Sequence, residues 1–161
     1  MKLVITMSRR YGTGASQIAE ELSGRLHVPV YDKAIVKERM DGDSYESEAS
    51  VIRELAKEPC IILGRCASEI LKEKRNVFNV YICADKEDRI RRIMELEKSS
   101  YEEAKAKLKQ TDSERSAYYH EHTGKAWGDV NNYHMILNTS DLGIAQCADV
   151  LIRYFEQKEF I

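Results

Sequence analysis

One stretch constrains this chain more than any other. Lys2-Leu3-Val4-Ile5-Thr6-Met7 is followed by Ser8-Arg9-Arg10-Tyr11-Gly12-Thr13-Gly14, and then by Ala15-Ser16-Gln17-Ile18. The first segment reads as a short buried strand. The second is a glycine-containing loop. From Ala15 the period changes, and Ile18, Ala19, Leu22 and Leu26 recur on one face of a helix. Gly24 falls within the last turns, and Pro29 forbids the helix from continuing. Val28 to Tyr31 reads as a second strand leading into Asp32-Lys33. Strand, glycine loop, helix and strand in that order predict a βαβ unit and a parallel sheet.

The same alternation continues. Val51, Ile52 and Leu55 mark a helix that ends near Pro59, and Cys60 to Leu63 a buried strand running into Gly64-Arg65. Ala67, Ile70 and Leu71 return to helical spacing, and Val77 to Cys83 is the clearest strand. Two helices follow, marked by Ile90, Ile93 and Met94 and by Ala104 and Leu108. Met135 to Leu137 reads as a last strand, and Ile144, Ala148, Leu151, Ile152 and Phe155 as a closing helix. The expected architecture is a doubly wound, three-layer α/β/α fold on a five-stranded parallel sheet. The polar stretch Met40 to Ser47 reads as a loop.

A chain of 161 residues suits a single domain, residues 1–161. With 25 Lys+Arg against 27 Asp+Glu it lacks the cationic excess of a sequence-independent nucleic-acid binder, so no nucleic-acid partner is expected. The apolar runs fall short of the ~20 residues that cross a bilayer, and the N-terminal run meets Arg9-Arg10 before it resembles a secretory signal. A cytoplasmic protein with no membrane partner is expected. Cys60, Cys66, Cys83 and Cys147 form no CxxC pair and read as reduced core thiols. A homodimer is compatible with the sequence, although no pattern points to one.

In a doubly wound sheet, ligands collect at the carboxyl ends of the strands, where backbone N–H groups at a helix start favour an anion. Arg9, Arg10, Tyr11, Gly12, Thr13, Gly14, Ala15 and Ser16 occupy that place. Set against GxxxxGK[ST], Gly14 and Ser16 match, while Arg9 replaces the first glycine and Ala15 the lysine. Arg9 and Arg10 are the expected substitutes for the lysine's charge, because guanidinium binds phosphate bidentately. His120-Glu121-His122 reads as a solvated segment, and Tyr118, Tyr119 and Trp127 as packing residues. The plain structural alternative for Arg65 is an ion pair with Asp32 or Asp85, and for Asp112 the cap of a helix starting near Ser113.

Taken in order, MKLVITMSRRYGTGASQIAEEL, VPVYDKAIV, IILGRCASEIL, DRIRRIMELE, DSERSAYYHEHTGKAWGD and NYHMILNTSDLG resemble the cytidylate kinase-like family, and more broadly the P-loop nucleoside monophosphate kinases. The resemblance implies a P-loop kinase-like fold with a helical lid, the lid being residues 89–128. It implies ATP as donor, Mg2+ as cofactor and nucleotide small molecules as substrates. Residue by residue, it implies that Arg9 to Ser16 hold the donor phosphates, that Ser16 ligates the metal, and that Thr139 and Ser140 touch the adenine. Asp32, Lys33, Gly64, Arg65 and Asp112 would bind the acceptor. Arg9, Arg65, Arg89, Arg92 and Arg115 would stabilise the transferring charge. Asp32 is a second metal candidate.

The chain departs from the pattern at Ala15, and at Leu63 and Cys66, which stand where acids flank the Gly-Arg pair. Only residues 32–63 separate Tyr31 from Gly64, so residues 32–58 would form a reduced acceptor-binding segment. The function implied is phosphoryl transfer from ATP to a nucleoside monophosphate, CMP or dCMP first. The alternatives are a nucleotide-binding sensor or regulator without turnover, and a kinase for another small metabolite.

Overall fold

The computed structural model describes residues 2–161. Five strands form one parallel sheet: β1 (Val4–Arg9), β2 (Val30–Tyr31), β3 (Cys60–Leu63), β4 (Val77–Cys83) and β5 (Met135–Asn138), in the order β2-β3-β1-β4-β5. β1 is central, aligned Val4 to Cys60 on one side and Val4 to Val77 on the other. Its residues are buried on both faces, as a covered parallel strand requires. Ile5 and Met7 face α1 (Ala15–Leu26) and, past the last strand, α8 (Ile144–Gln157). Val4, with Cys60 and Ile62, faces α2 (Lys33–Glu38), α3 (Tyr45–Leu55) and α4 (Ala67–Ile70). These are the three layers.

α1 stops where expected, since His27 adopts a left-handed conformation and its N–H donates to the Ser23 carbonyl. The second strand is shorter than the sequence suggests. Val30 and Tyr31 form the ladder with β3, and before them the Pro29 carbonyl accepts from the Ile61 N–H although Pro29 has no N–H of its own to donate. The polar stretch from Met40 is a loop only as far as Ser44, whose hydroxyl caps α3 by accepting from the Ser47 N–H.

α5 (Lys86–Glu97) and α6 (Tyr101–Thr123) pack on each other through an apolar contact of Ile90, Ile93, Ala104 and Leu108. α6 starts at its Ser100 cap and runs unbroken through residue 112, so no helix begins near Ser113. Asp112 is therefore an interior helix residue rather than a cap. A short 4-residue helix α7 (Thr139–Leu142) links β5 to α8. Among the described residues, no helix is long and apolar enough to cross a membrane. The sheet order brings the carboxyl ends of β1 and β3 together, so Arg9 lies beside Gly64-Arg65, at the crevice where doubly wound sheets bind ligands.

Candidate active site

The loop leaving β1 has an unusual division of hydrogen bonds. Each carbonyl from Arg9 to Thr13 accepts from a side chain. Arg115 Nη1 donates to the Arg9 carbonyl at 2.8 Å, Thr13 Oγ1 to Arg10 at 3.0 Å, and Arg89 Nη1 to Tyr11 at 3.4 Å. Arg92 Nη1 donates to Gly12 at 3.0 Å, and Thr139 Oγ1 to Thr13 at 2.8 Å. The Tyr11 N–H donates to Asp112 Oδ1 at 2.8 Å. The N–H groups of Gly12, Thr13, Gly14, Ala15 and Ser16 find no backbone carbonyl among the described residues. With its carbonyls gripped from outside and five successive amides left over at a helix start, the loop is an anion nest. Gly12 and Gly14 are required for it. Both have positive φ (80° and 85°), and a Cβ would lie 2.8 Å from the Arg89 carbonyl oxygen at Gly12 and 2.5 Å from the Ile144 side chain at Gly14.

Two clefts open here. The loop-side cleft is lined by residues 9–17 together with Arg92, Ile93, Leu96, Glu97 and Arg115. The second, about 290 Å³, is lined by Arg9, Lys33, Gly64, Arg65, Arg115, Tyr118 and their neighbours. Arg9 and Arg115 belong to both.

Arg9 is turned towards the second cleft. A Cβ on Gly64 would lie 2.5 Å from Arg9 Nη1, so the glycine of the Gly-Arg pair leaves room for this guanidinium to approach the chain. No carboxylate among the described residues is within ion-pair distance of Arg9. Burial, then repulsion from Arg115 and Arg65, pushes its pKa down to about 9. It stays cationic at neutral pH, and an anion between the clefts would relieve that uncompensated charge. Burial lowers the pKa of Arg115 as well.

Arg65 takes a different partner from the acids expected. Its Nε donates to Glu48 Oε2 at 2.9 Å, its Nη2 donates to the same oxygen, and its guanidinium lies 4.5 Å from the Tyr118 ring centroid. Tyr118 Oη donates to Glu48 Oε1 at 2.6 Å. Arg65 and Cys66 both hold left-handed backbone (φ 56° and 57°), strain of the kind that accumulates at functional sites.

Several expected residues have other jobs. Arg89 and Asp112 form a buried pair with Nη1–Oδ2 at 2.7 Å that holds the loop, and neither lines either cleft. Thr139 and Ser140 line neither cleft: Thr139 braces the loop, and Ser140 Oγ accepts from the Asp85 N–H. Arg10 lines the loop-side cleft but packs its guanidinium 4.8 Å from the centre of the buried Trp127 ring. Ala15 is only 3% exposed and packs beside Ile18, at the floor of the loop-side cleft that it also lines. Arg92 reaches the loop from α5: its Nη1 donates to the Gly12 carbonyl and would lie 3.2 Å from a Cβ on Gly14. Asp32 caps α2 by accepting from the Ile35 N–H at 2.9 Å and lines neither cleft, whereas Lys33 and Ser16 line one each. Among the described residues, no group of three His, Cys, Asp or Glu side chains is placed to hold a metal.

Comparison with known proteins gives the fold and the family. A search of curated protein sequences gave no match. Among solved structures, an uncharacterized protein from Eubacterium ventriosum is 25% identical over 98% of this chain and 99% of its own, with a TM-score of 0.93. Shikimate kinase from Bacteroides thetaiotaomicron is 17% identical, covering 96% and 98%, at a TM-score of 0.61. The YorR protein of Bacillus subtilis, solved with phosphorylated GDP, is 17% identical, covering 98% of each chain, at 0.63. The fold is that of the P-loop kinases. The sequence profile of the cytidylate kinase-like family matches residues 4–42 and 37–141, most of the chain; the protein belongs to the cytidylate kinase-like family.

Proposed function

We propose that this protein transfers the γ-phosphoryl group of ATP to a nucleoside monophosphate, with CMP the first acceptor to test and dCMP the next. Family and fold support a kinase-like phosphotransferase. The observation that carries the reading is that the loop-side cleft and the Gly64-Arg65 cleft share Arg9 and Arg115. A group passing from one cleft to the other would pass these two cations. Phosphoryl transfer asks little covalent chemistry of the protein, and catalysis is mostly positioning and charge neutralisation.

In this reading the amides of Gly12 to Ser16 hold the donor phosphates, and Arg92 supplies the loop-side charge in place of the lysine. Arg9 and Arg115 stabilise charge on the transferring group, and Lys33 and Arg65 hold the acceptor. Magnesium bound with the nucleotide supplies further charge neutralisation. It retains several waters and phosphate oxygens in such sites, so the Ser16 hydroxyl is a sufficient protein anchor.

A second reading, phosphorylation of a smaller anionic metabolite, is favoured by one observation. The acceptor-side cleft of about 290 Å³ lies at the lower end for small-molecule sites. The test is an ADP-release assay with ATP and Mg2+, offering CMP, dCMP, UMP, AMP and GMP in turn against an acceptor-free control. CMP-dependent ADP formation whose CMP KM rises strongly in Arg65→Ala supports the proposal. ATP binding without turnover on any monophosphate refutes it in favour of a sensor or the metabolite reading.

A further inference from the structure

Glu48 is the most buried carboxylate at the site, 1% exposed, and it lines neither cleft. It nevertheless receives both Arg65 Nε and Arg65 Nη2 on one oxygen and the Tyr118 hydroxyl on the other. A buried carboxylate is retained at such a place only when its partners compensate for lost hydration, and here it has three donors. Arg65 is thereby left with one nitrogen, Nη1, for anything outside this cluster. Its direction is fixed from behind by Glu48 and from one face by the Tyr118 ring. Tyr118 belongs to α6 and Glu48 to α3, so the contact also ties the short acceptor segment to the long helix that carries Arg115. Burial and then the bond to Glu48 push the Tyr118 phenol above its usual range, which keeps it a donor at physiological pH. A second link lies beside it: His122 stacks on Tyr45 with ring centroids 4.3 Å apart.

We propose that Glu48, with Tyr118, is a positioning residue for the acceptor, aiming Arg65 Nη1 into the second cleft and fixing Arg65 as a one-point contact. The proposal rests on the reading of that cleft as the acceptor site. It predicts a selective effect. Disturbing Glu48 or Tyr118 weakens acceptor binding and leaves the donor side alone, because neither residue touches the glycine loop.

The test uses the full chain with ATP, Mg2+ and CMP, comparing Glu48→Gln, Tyr118→Phe, Arg65→Ala and the double variant Glu48→Gln/Arg65→Ala. Glu48→Gln is expected to raise the CMP KM about tenfold and Tyr118→Phe about threefold, with the ATP KM within twofold of wild type. In the Arg65→Ala background, Glu48→Gln is expected to add no further change, since there is no guanidinium left to aim. A merely structural carboxylate would act equally in both backgrounds and would move both KM values. Arg65→Ala raising the CMP KM while Glu48→Gln and Tyr118→Phe leave it within twofold overturns the positioning role and leaves the acceptor site standing. An Arg65→Ala variant with unchanged CMP KM, or a wild-type protein that uses no nucleoside monophosphate, overturns the acceptor reading and the positioning role with it.

Discussion

Asp112→Ala is the perturbation that most sharply separates a fixed helical pair from a swinging lid. The Asp112 carboxylate joins three parts of the molecule: α6, on which it sits, the Tyr11 N–H of the phosphate loop, and Arg89 of α5. Its side chain is 10% exposed and that of Arg89 12%, so the pair is largely out of water. Removing one partner of a buried pair strands the other's charge, which costs roughly 3–5 kcal/mol. For a chain of 161 residues, each kcal/mol corresponds to about 2–4 °C, so the variant should lose roughly 6–20 °C in Tm. The paired replacement Arg89→Met/Asp112→Leu should recover much of the loss, because it leaves no stranded charge. Calorimetry of the ligand-free protein measures both. If α5 and α6 swung clear of the loop in solution, the pair would be exposed and would contribute under about 1 kcal/mol. A Tm drop of less than about 3 °C in Asp112→Ala would refute the fixed arrangement.

Other consequences can be checked separately. Arg9→Met should raise the Tm of the ligand-free protein by a few degrees and abolish the stabilisation produced by added inorganic phosphate, since Arg9 carries uncompensated charge; a lower Tm with phosphate stabilisation intact would contradict this. Ala15→Lys should lower Tm without raising turnover, because position 15 is buried against the core; increased turnover would mean that the side chain reaches the phosphates. Burial pushes the Cys60 and Cys66 thiols from 9.0 to about 12, and the Tyr45 phenol from 10.0 to about 12. The folded state therefore holds these protons more tightly than the unfolded state. Their contribution to stability is full below about pH 9 and is lost as pH rises towards 12. Urea midpoints at pH 8 and pH 10.5 should show the decline, and equal midpoints would contradict it.

The architecture was legible because each element carries its own period. The β1–loop–α1 unit, the glycine pair and the parallel order follow from apolar runs, Pro29 and helical stripes alone. The partners of the charged residues were harder to see, since they depend on side chains brought together from distant segments. Even so, a signal was present. Extending the Ile52–Leu55 stripe back one turn lands on Glu48, and extending Ala104–Leu108 forward one turn lands on Asp112. An acid on an otherwise apolar stripe has to find a buried cation. That rule identifies both residues as buried acids and withdraws Asp112 from the helix caps, although it does not name Arg65 or Arg89 as their partners. The roles expected of Thr139 and Ser140 rested on their position at a strand's end, which gave no information about which way the hydroxyls turn. At Ala15 the side chain is buried beside Ile18, and the guanidinium that reaches the loop from α5 is that of Arg92, which donates to the Gly12 carbonyl.

Because Arg9 and Arg115 line both clefts, the proposed function requires that donor and acceptor be held at once. Equilibrium binding of an analogue joining adenosine and cytidine through five phosphates tests it directly. This molecule should bind at least 100-fold more tightly than ATP or CMP alone, through linkage of two sites in one ligand, and Arg115→Ala should remove most of the gain. Binding no tighter than that of ATP would contradict it, because the second half of the ligand would then have found no site.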